Sequence, residues 1–215
     1  MSRLNEARNL FVGCSSSDNI PDKYMRDSIE YLEEVFRFAE EFNLVFGAAK
    51  SGIMGNALYA ARICDKNVMG ICPEAYQSDI PDLKEYYHKV NCILTKTVGE
   101  RTEALFQHSD ALLFLPGGIG TIYELFTAIE YKRNEELNKP IVIYNSNNYF
   151  DGLFAFLDKM YNESFTNRTV SDCYHISYSA KDTVEYLRDC FDEERIEKEK
   201  IIMGFNFKSD IHVKL

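Results

Sequence analysis

Seven short, β-rich apolar runs alternate along this chain with longer stretches of helical periodicity, and that alternation narrows the fold more than any other feature. The runs cover residues 9–13, 44–46, 68–72, 90–94, 111–115, 141–144 and 174–177. Helical patterns fill residues 21–42, 53–64, 100–108, 121–136, 150–161 and 181 to about 199. Strands joined through single helices need crossover connections, which are right-handed and give a parallel sheet with helices on both faces. The expected fold is therefore α/β, a Rossmann-like doubly wound parallel sheet of about seven strands. The runs ALLFLP and PIVIYN are apolar throughout rather than alternating, which places them in the interior of the sheet. Residues 1–199 are expected to form one unit and 200–215 a C-terminal tail.

Composition limits what such a fold can meet. Across 215 residues, 24 Lys and Arg stand against 34 Asp and Glu, a formal charge of −10. A surface this acidic repels phosphate backbones, and no run of basic residues supplies a local stripe, so a nucleic-acid polymer is a poor partner. One pocket of backbone NH groups and a single Arg can still hold a small phosphorylated ligand. The N-terminal residues carry Arg3, Glu6 and Arg8 and no long apolar run. They read as neither a secretory signal nor a membrane span, so the expected compartment is the cytoplasm. Six cysteines without a CxxC pair and four histidines without HExxH point to reduced thiols and no metal site. The triplets Asn162-Glu163-Ser164 and Asn167-Arg168-Thr169 are read as chance matches to a glycosylation signal. The charge-dense stretch 192–200 is read as a solvated helix face.

In a parallel α/β sheet the ligand sits where strands run out into loops. The most informative loop follows the 111–115 run and reads Pro116-Gly117-Gly118-Ile119-Gly120-Thr121-Ile122-Tyr123-Glu124. Its glycines let a ligand approach the backbone, and a helix starting near Thr121 aims unpaired NH groups and a positive dipole end at the cleft. The dinucleotide fingerprint GxGxxG fails, because Tyr123 stands where its last glycine belongs. A P-loop fails too: Gly47 and Gly52 are correctly spaced, but Ile53 replaces the essential Lys. Thr121 and Glu124 alone also fit a helix capping box, so their spacing has a structural explanation as well. No GxSxG elbow is present, and no Lys lies in this loop or its strand to carry a decarboxylase cofactor.

The nine-residue string resembles the PGGxGTxxE signature of the LOG family, the cytokinin riboside 5′-monophosphate phosphoribohydrolases formerly misnamed lysine decarboxylases. The resemblance runs from about residue 9 to 165. Gly13-Cys14-Ser15-Ser16-Ser17 is similar to the family's CGSS loop with Gly and Cys exchanged, and Gly47-Ala48-Ala49-Lys50-Ser51-Gly52-Ile53-Met54-Gly55 to its GGGxxGLMG with two glycines replaced by alanine. Cys72-Pro73-Glu74-Ala75 resembles IPEA, and Glu85-Tyr86-Tyr87-His88 resembles ExxH. Gly99-Glu100-Arg101-Thr102 corresponds to H-x-R-K and keeps only the Arg.

The resemblance implies hydrolysis of the N-glycosidic bond of a nucleoside 5′-monophosphate, AMP or a cytokinin riboside 5′-monophosphate, to free base and ribose 5-phosphate. It implies Arg101 and Glu124 as catalytic residues. Gly117, Gly118, Ile119, Gly120, Thr121, Glu85, Ser15 and Ser16 are the expected substrate contacts, without a metal or other cofactor and in a homodimer. Cleavage passes through an oxocarbenium-like ribose, which a nearby carboxylate stabilises. Arg101 has three roles open to it: binding phosphate, keeping Glu124 ionised, or hydrogen-bonding the departing base. Ser51 reads first as a turn residue. Gly99, Thr102, Glu130 and Tyr131 depart from the family pattern and bear on the nucleobase pocket or a dimer contact. A carrier of a nucleotide or pterin cofactor on the same fold is the alternative, although a carrier needs the cradle and not the Arg and Glu.

Overall fold

The computed structural model describes residues 7–166 and 170–209. The first six residues and the Asn167-Arg168-Thr169 triplet lie outside them. All seven expected strands form: β1 (Arg8–Gly13), β2 (Phe42–Phe46), β3 (Val68–Pro73), β4 (Val90–Thr95), β5 (Ala111–Phe114), β6 (Ile141–Tyr144) and β7 (His175–Ser177). They make one sheet in the order β4-β3-β2-β1-β5-β6-β7, with every neighbouring pair parallel. The helices are α1 (Asp22–Phe38), α2 (Gly52–Ile63), α3 (Ile80–Tyr86), α4 (Val98–Gln107), α5 (Ile119–Arg133), α6 (Asp151–Asn162) and α7 (Ala180–Ser209).

Alternation along each strand divides the core into two layers. Leu10, Val12, Leu44 and Phe46 face one side, against Leu32 and Phe36 of α1, Ala57 of α2 and Val184 and Leu187 of α7. Phe11, Val45, Leu112 and Phe114 face the other, against Leu105 of α4, Leu125 and Ile129 of α5 and Leu157 of α6. All four residues of both β5 and β6 are buried, as expected of strands covered on both faces. In α1 the buried residues Ser28, Tyr31, Leu32, Val35 and Phe36 recur at helical spacing and form one stripe.

Two expectations need correction. A 3₁₀ turn (Glu74–Asp79) and α3 occupy the connection between β3 and β4, where no helix was expected. Leu83 is the one buried residue of α3, so the segment carries no apolar stripe for periodicity to reveal. At the other end, α7 continues to Ser209, well into the stretch expected to be a tail, whose last six residues lie outside those described.

The order of the strands locates the cleft. The chain winds outward from β1 to β4, then returns to lay β5 against the other side of β1, so the winding reverses between β1 and β5. Such a switch point opens a crevice at the carboxyl ends of the two strands. Here the two strand ends are tied together: Leu115 NH donates to Gly13 O at 2.9 Å, and Ser15 NH to Pro116 O at 3.0 Å.

Candidate active site

The loop after β5 uses its carbonyls and leaves its amides. Pro116 O accepts from Ser15 NH, Gly117 O from the Tyr149 hydroxyl at 2.8 Å, and Gly118 O from Ile122 NH at 3.1 Å. Gly118 is the N-cap of α5, extended at φ −82° and ψ −157° and without a side-chain cap, and the first turn contains no acid. Among the described residues no protein acceptor takes the NH groups of Ile119, Gly120 and Thr121. Those amides and the dipole of a 15-residue helix make the start of α5 ready for an anion. A Cβ on Gly117 would overlap the Thr121 side chain, so close packing demands glycine there.

A second helix start lies nearby and is closed. Gly52 NH donates to the Asp18 carboxylate at 2.8 Å, and Met54 NH to Ser15 O at 3.0 Å. The Ser51 hydroxyl donates to Ser16 O at 2.6 Å, joining the loops after β1 and β2 as a turn residue would. Ser15 is half-buried and its Oγ accepts from Ser17 NH, while Ser16 is exposed.

Arg101 and Glu124 meet in this cleft. Thr97 and Glu100 cap α4: Thr97 Oγ1 accepts from Glu100 NH, and the Glu100 carboxylate from Lys96 NH. This fixes the first turn, from which Arg101 reaches inward. Its Nε donates to Ile71 O on β3 at 3.1 Å and its Nη1 to Glu124 Oε1 on α5 at 2.6 Å, a short charge-assisted bond. The side chains are 14% and 4% exposed. The guanidinium passes over Gly47, where a Cβ would overlap Nη2. Burial pushes the Glu124 carboxyl up and the neighbouring guanidinium pulls it back; the net direction is upward. Buried Cys14 feels the Glu124 charge, and burial together with that charge pushes its thiol up, away from thiolate chemistry.

The capping-box explanation of Thr121 and Glu124 does not hold. Because α5 starts at Ile119 behind Gly118, Thr121 is its third residue and is 4% exposed, while Glu124 sits a turn further in, on Arg101. Glu85 stands exposed on α3. Thr102 is buried and back-bonded to Val98 O, so it does not reach the cleft in place of the family's Lys. Tyr131 packs edge-on against Phe106, and Glu130 pairs with Arg133 at 2.8 Å. Both lie about 10 Å beyond Glu124 along α5 at 1.5 Å per residue.

Sequence reasoning missed the turn after β6. Tyr149 stands there, with Asn147 and Asn148 before it in the left-handed region at φ 48° and 59°. Asn145 holds the turn through Asp151 and Phe150 NH, and Ser146 and Tyr144 donate to Asp27 of α1. The run Asn145-Ser146-Asn147-Asn148 at a strand's carboxyl end was the available signal.

A parallel sheet whose winding reverses beside β1, with a buried guanidinium–carboxylate pair at the carboxyl ends of its strands, defines a Rossmann-type α/β protein. The family model described as "Possible lysine decarboxylase" matches residues 54–187, more than half of the chain, which belongs to that family. Cytokinin riboside 5′-monophosphate phosphoribohydrolase LOG3 of Arabidopsis thaliana is 27% identical over 191 residues, covering 85% of this chain and 82% of its own. LOG5 of the same plant is 28% identical over 176 residues, covering 82% and 75%. Among solved structures, the molybdenum cofactor carrier protein of Chlamydomonas reinhardtii superposes with a TM-score of 0.62 at 17% identity, over 87% of this chain and 99% of that one. At that identity the likeness is one of fold.

Proposed function

We propose that this protein hydrolyses the N-glycosidic bond of a nucleoside 5′-monophosphate, with AMP and N6-prenylated AMP as the first substrates to try. The observation that carries the reading is the buried Arg101–Glu124 pair beside the open start of α5. The 5′-phosphate would lie on the amides of Ile119, Gly120 and Thr121. Water adds to C1′ as the C1′–N bond breaks, and the base leaves with a proton, giving ribose 5-phosphate. Positive charge grows on the ribose ring in between, and a Glu124 carboxylate kept dry and fixed by Arg101 stabilises it.

Among the described residues, the lysines whose amines burial pushes down give lysine decarboxylation no support. Lys66, Lys132 and Lys139, whose amines burial pushes down, each donate to backbone carbonyls: Glu40, Lys139 and Phe106 respectively. None is bonded to the Arg101–Glu124 pair. The homodimer and the cytoplasm remain part of the proposal. Ile119, 87% exposed, and Tyr123, 45% exposed, offer one apolar side of α5 to a second copy. None of the six cysteines forms a disulfide, which suits a reducing compartment.

The test is base release from both nucleotides by the wild type, Glu124→Gln and Arg101→Ala, followed by chromatography. Loss of about a hundredfold or more in each variant is expected for a preorganised electrostatic group. Undiminished release in both removes the pair from the chemistry. Binding of the nucleotides without release by the wild type favours the carrier alternative.

A further inference from the structure

We propose that Tyr149 is a positioning residue for the phosphate cradle, acting through Gly117 and without touching the reacting bond. The inference rests on the reading of the α5 start as a phosphate site. Each carbonyl of Pro116-Gly117-Gly118 has a different partner: the β1 loop holds the first, Tyr149 the second and α5 itself the third. The Gly117 carbonyl is therefore the point at which the turn after β6 sets the orientation of the loop. With that carbonyl held, the peptides that follow present their amides to the cleft.

The turn that delivers the hydroxyl is built at a cost. Two consecutive residues, Asn147 and Asn148, adopt left-handed conformations, and such strain persists only where the surroundings over-determine it. Asn145 is buried and holds the turn at both ends, by donating to the Asp151 carboxylate at 2.7 Å and accepting from Phe150 NH at 2.8 Å. Ser146 donates to Asp27, and the Tyr149 ring stands edge-on between Tyr24 and Phe150, with centroids 5.4 and 5.0 Å away. Tyr149 is 41% exposed, so packing alone does not explain why its hydroxyl is aimed at the loop.

The experiment compares wild type with Tyr149→Phe, which keeps the ring and both aromatic contacts. Calorimetry measures binding of ribose 5-phosphate and of adenosine, and base release from AMP provides KM and kcat. Losing one hydrogen bond to a positioning carbonyl should weaken ribose 5-phosphate and raise KM by about three- to tenfold, with kcat nearly unchanged. Adenosine, which lacks the phosphate, should bind both proteins equally. A merely structural role would weaken both ligands alike, and that result overturns the proposal, as does unchanged affinity for ribose 5-phosphate. Failure of the wild type to bind ribose 5-phosphate overturns the cradle itself, and with it this role for Tyr149.

Discussion

Gly47→Ala should disconnect Arg101 from Glu124 without altering either residue. A Cβ at position 47 would overlap Arg101 Nη2 and stand 3.1 Å from Met54 Cε, whereas ordinary contact begins near 3.4 Å. Relief requires the guanidinium to retreat by at least about 1 Å. A retreat of that size directed away from Glu124 opens the 2.6 Å Nη1–Oε1 bond to about 3.6 Å, beyond a hydrogen bond. Glu124 is left buried and unpaired, and breaking a buried pair costs about 3–5 kcal/mol. Arg101 sits at the end of a flexible side chain and retains some solvent contact, so the lower figure applies, equivalent to roughly 6–12 °C in Tm for a domain of this size. The loss depends on pH with a definite sign. Without Arg101 the Glu124 carboxyl rises further above its unfolded value, so its stabilising contribution is complete below the unfolded value and disappears as pH climbs through the raised one. Melting curves at pH 5 and pH 8 should therefore show a larger deficit at pH 8, and base release should fall about as far as in Arg101→Ala. An equal deficit at the two pH values, with wild-type release, would refute the reasoning.

Three further outcomes are expected. Base release by the wild type should show an acid limb above the ordinary glutamate range, because burial outweighs Arg101 at Glu124, and the residual rate of Glu124→Gln should lack that limb; a shared limb in both would point to another group. Ala48 holds φ 63°, so Ala48→Gly should stabilise the protein by about 0.5–1 kcal/mol in urea denaturation, the left-handed penalty exceeding glycine's entropy cost. Asp27→Ala strands the hydroxyls of Tyr144 and Ser146 and should destabilise by about 1–3 kcal/mol, measured the same way.

The strands were legible because a parallel sheet buried on both faces writes each one as a short, saturated apolar run; β5 and β6 fall where ALLFLP and PIVIYN predict. Helix α3 was not, since a helix with one buried residue leaves no periodic trace. Arg101 and Glu124 were found through a family resemblance, but their contact follows from the sheet order, which sets β3, α4 and α5 around one crevice. The start of α5 was misjudged by two residues because Thr121 and Glu124 imitate a cap, while the true cap, Gly118, contributes no side chain. Tyr149 stayed hidden for a different reason. Tyrosines are common in this chain, and what distinguishes this one is the backbone of Asn147 and Asn148, which residue identity does not announce.

The reversal of winding beside β1 also has a consequence for how the chain is made. As the protein emerges from the ribosome, β1 to β4 can assemble in order, yet the inner edge of β1 has no neighbour until β5 arrives about a hundred residues later. That edge carries Leu10, Phe11 and Val12, all fully or almost fully buried in the finished sheet. An open apolar strand edge is a template for pairing with other chains. Products ending before Ala111 should therefore aggregate, and β5 only passes the open edge outward, so the nascent sheet stays exposed until β6 and β7 have covered it in turn.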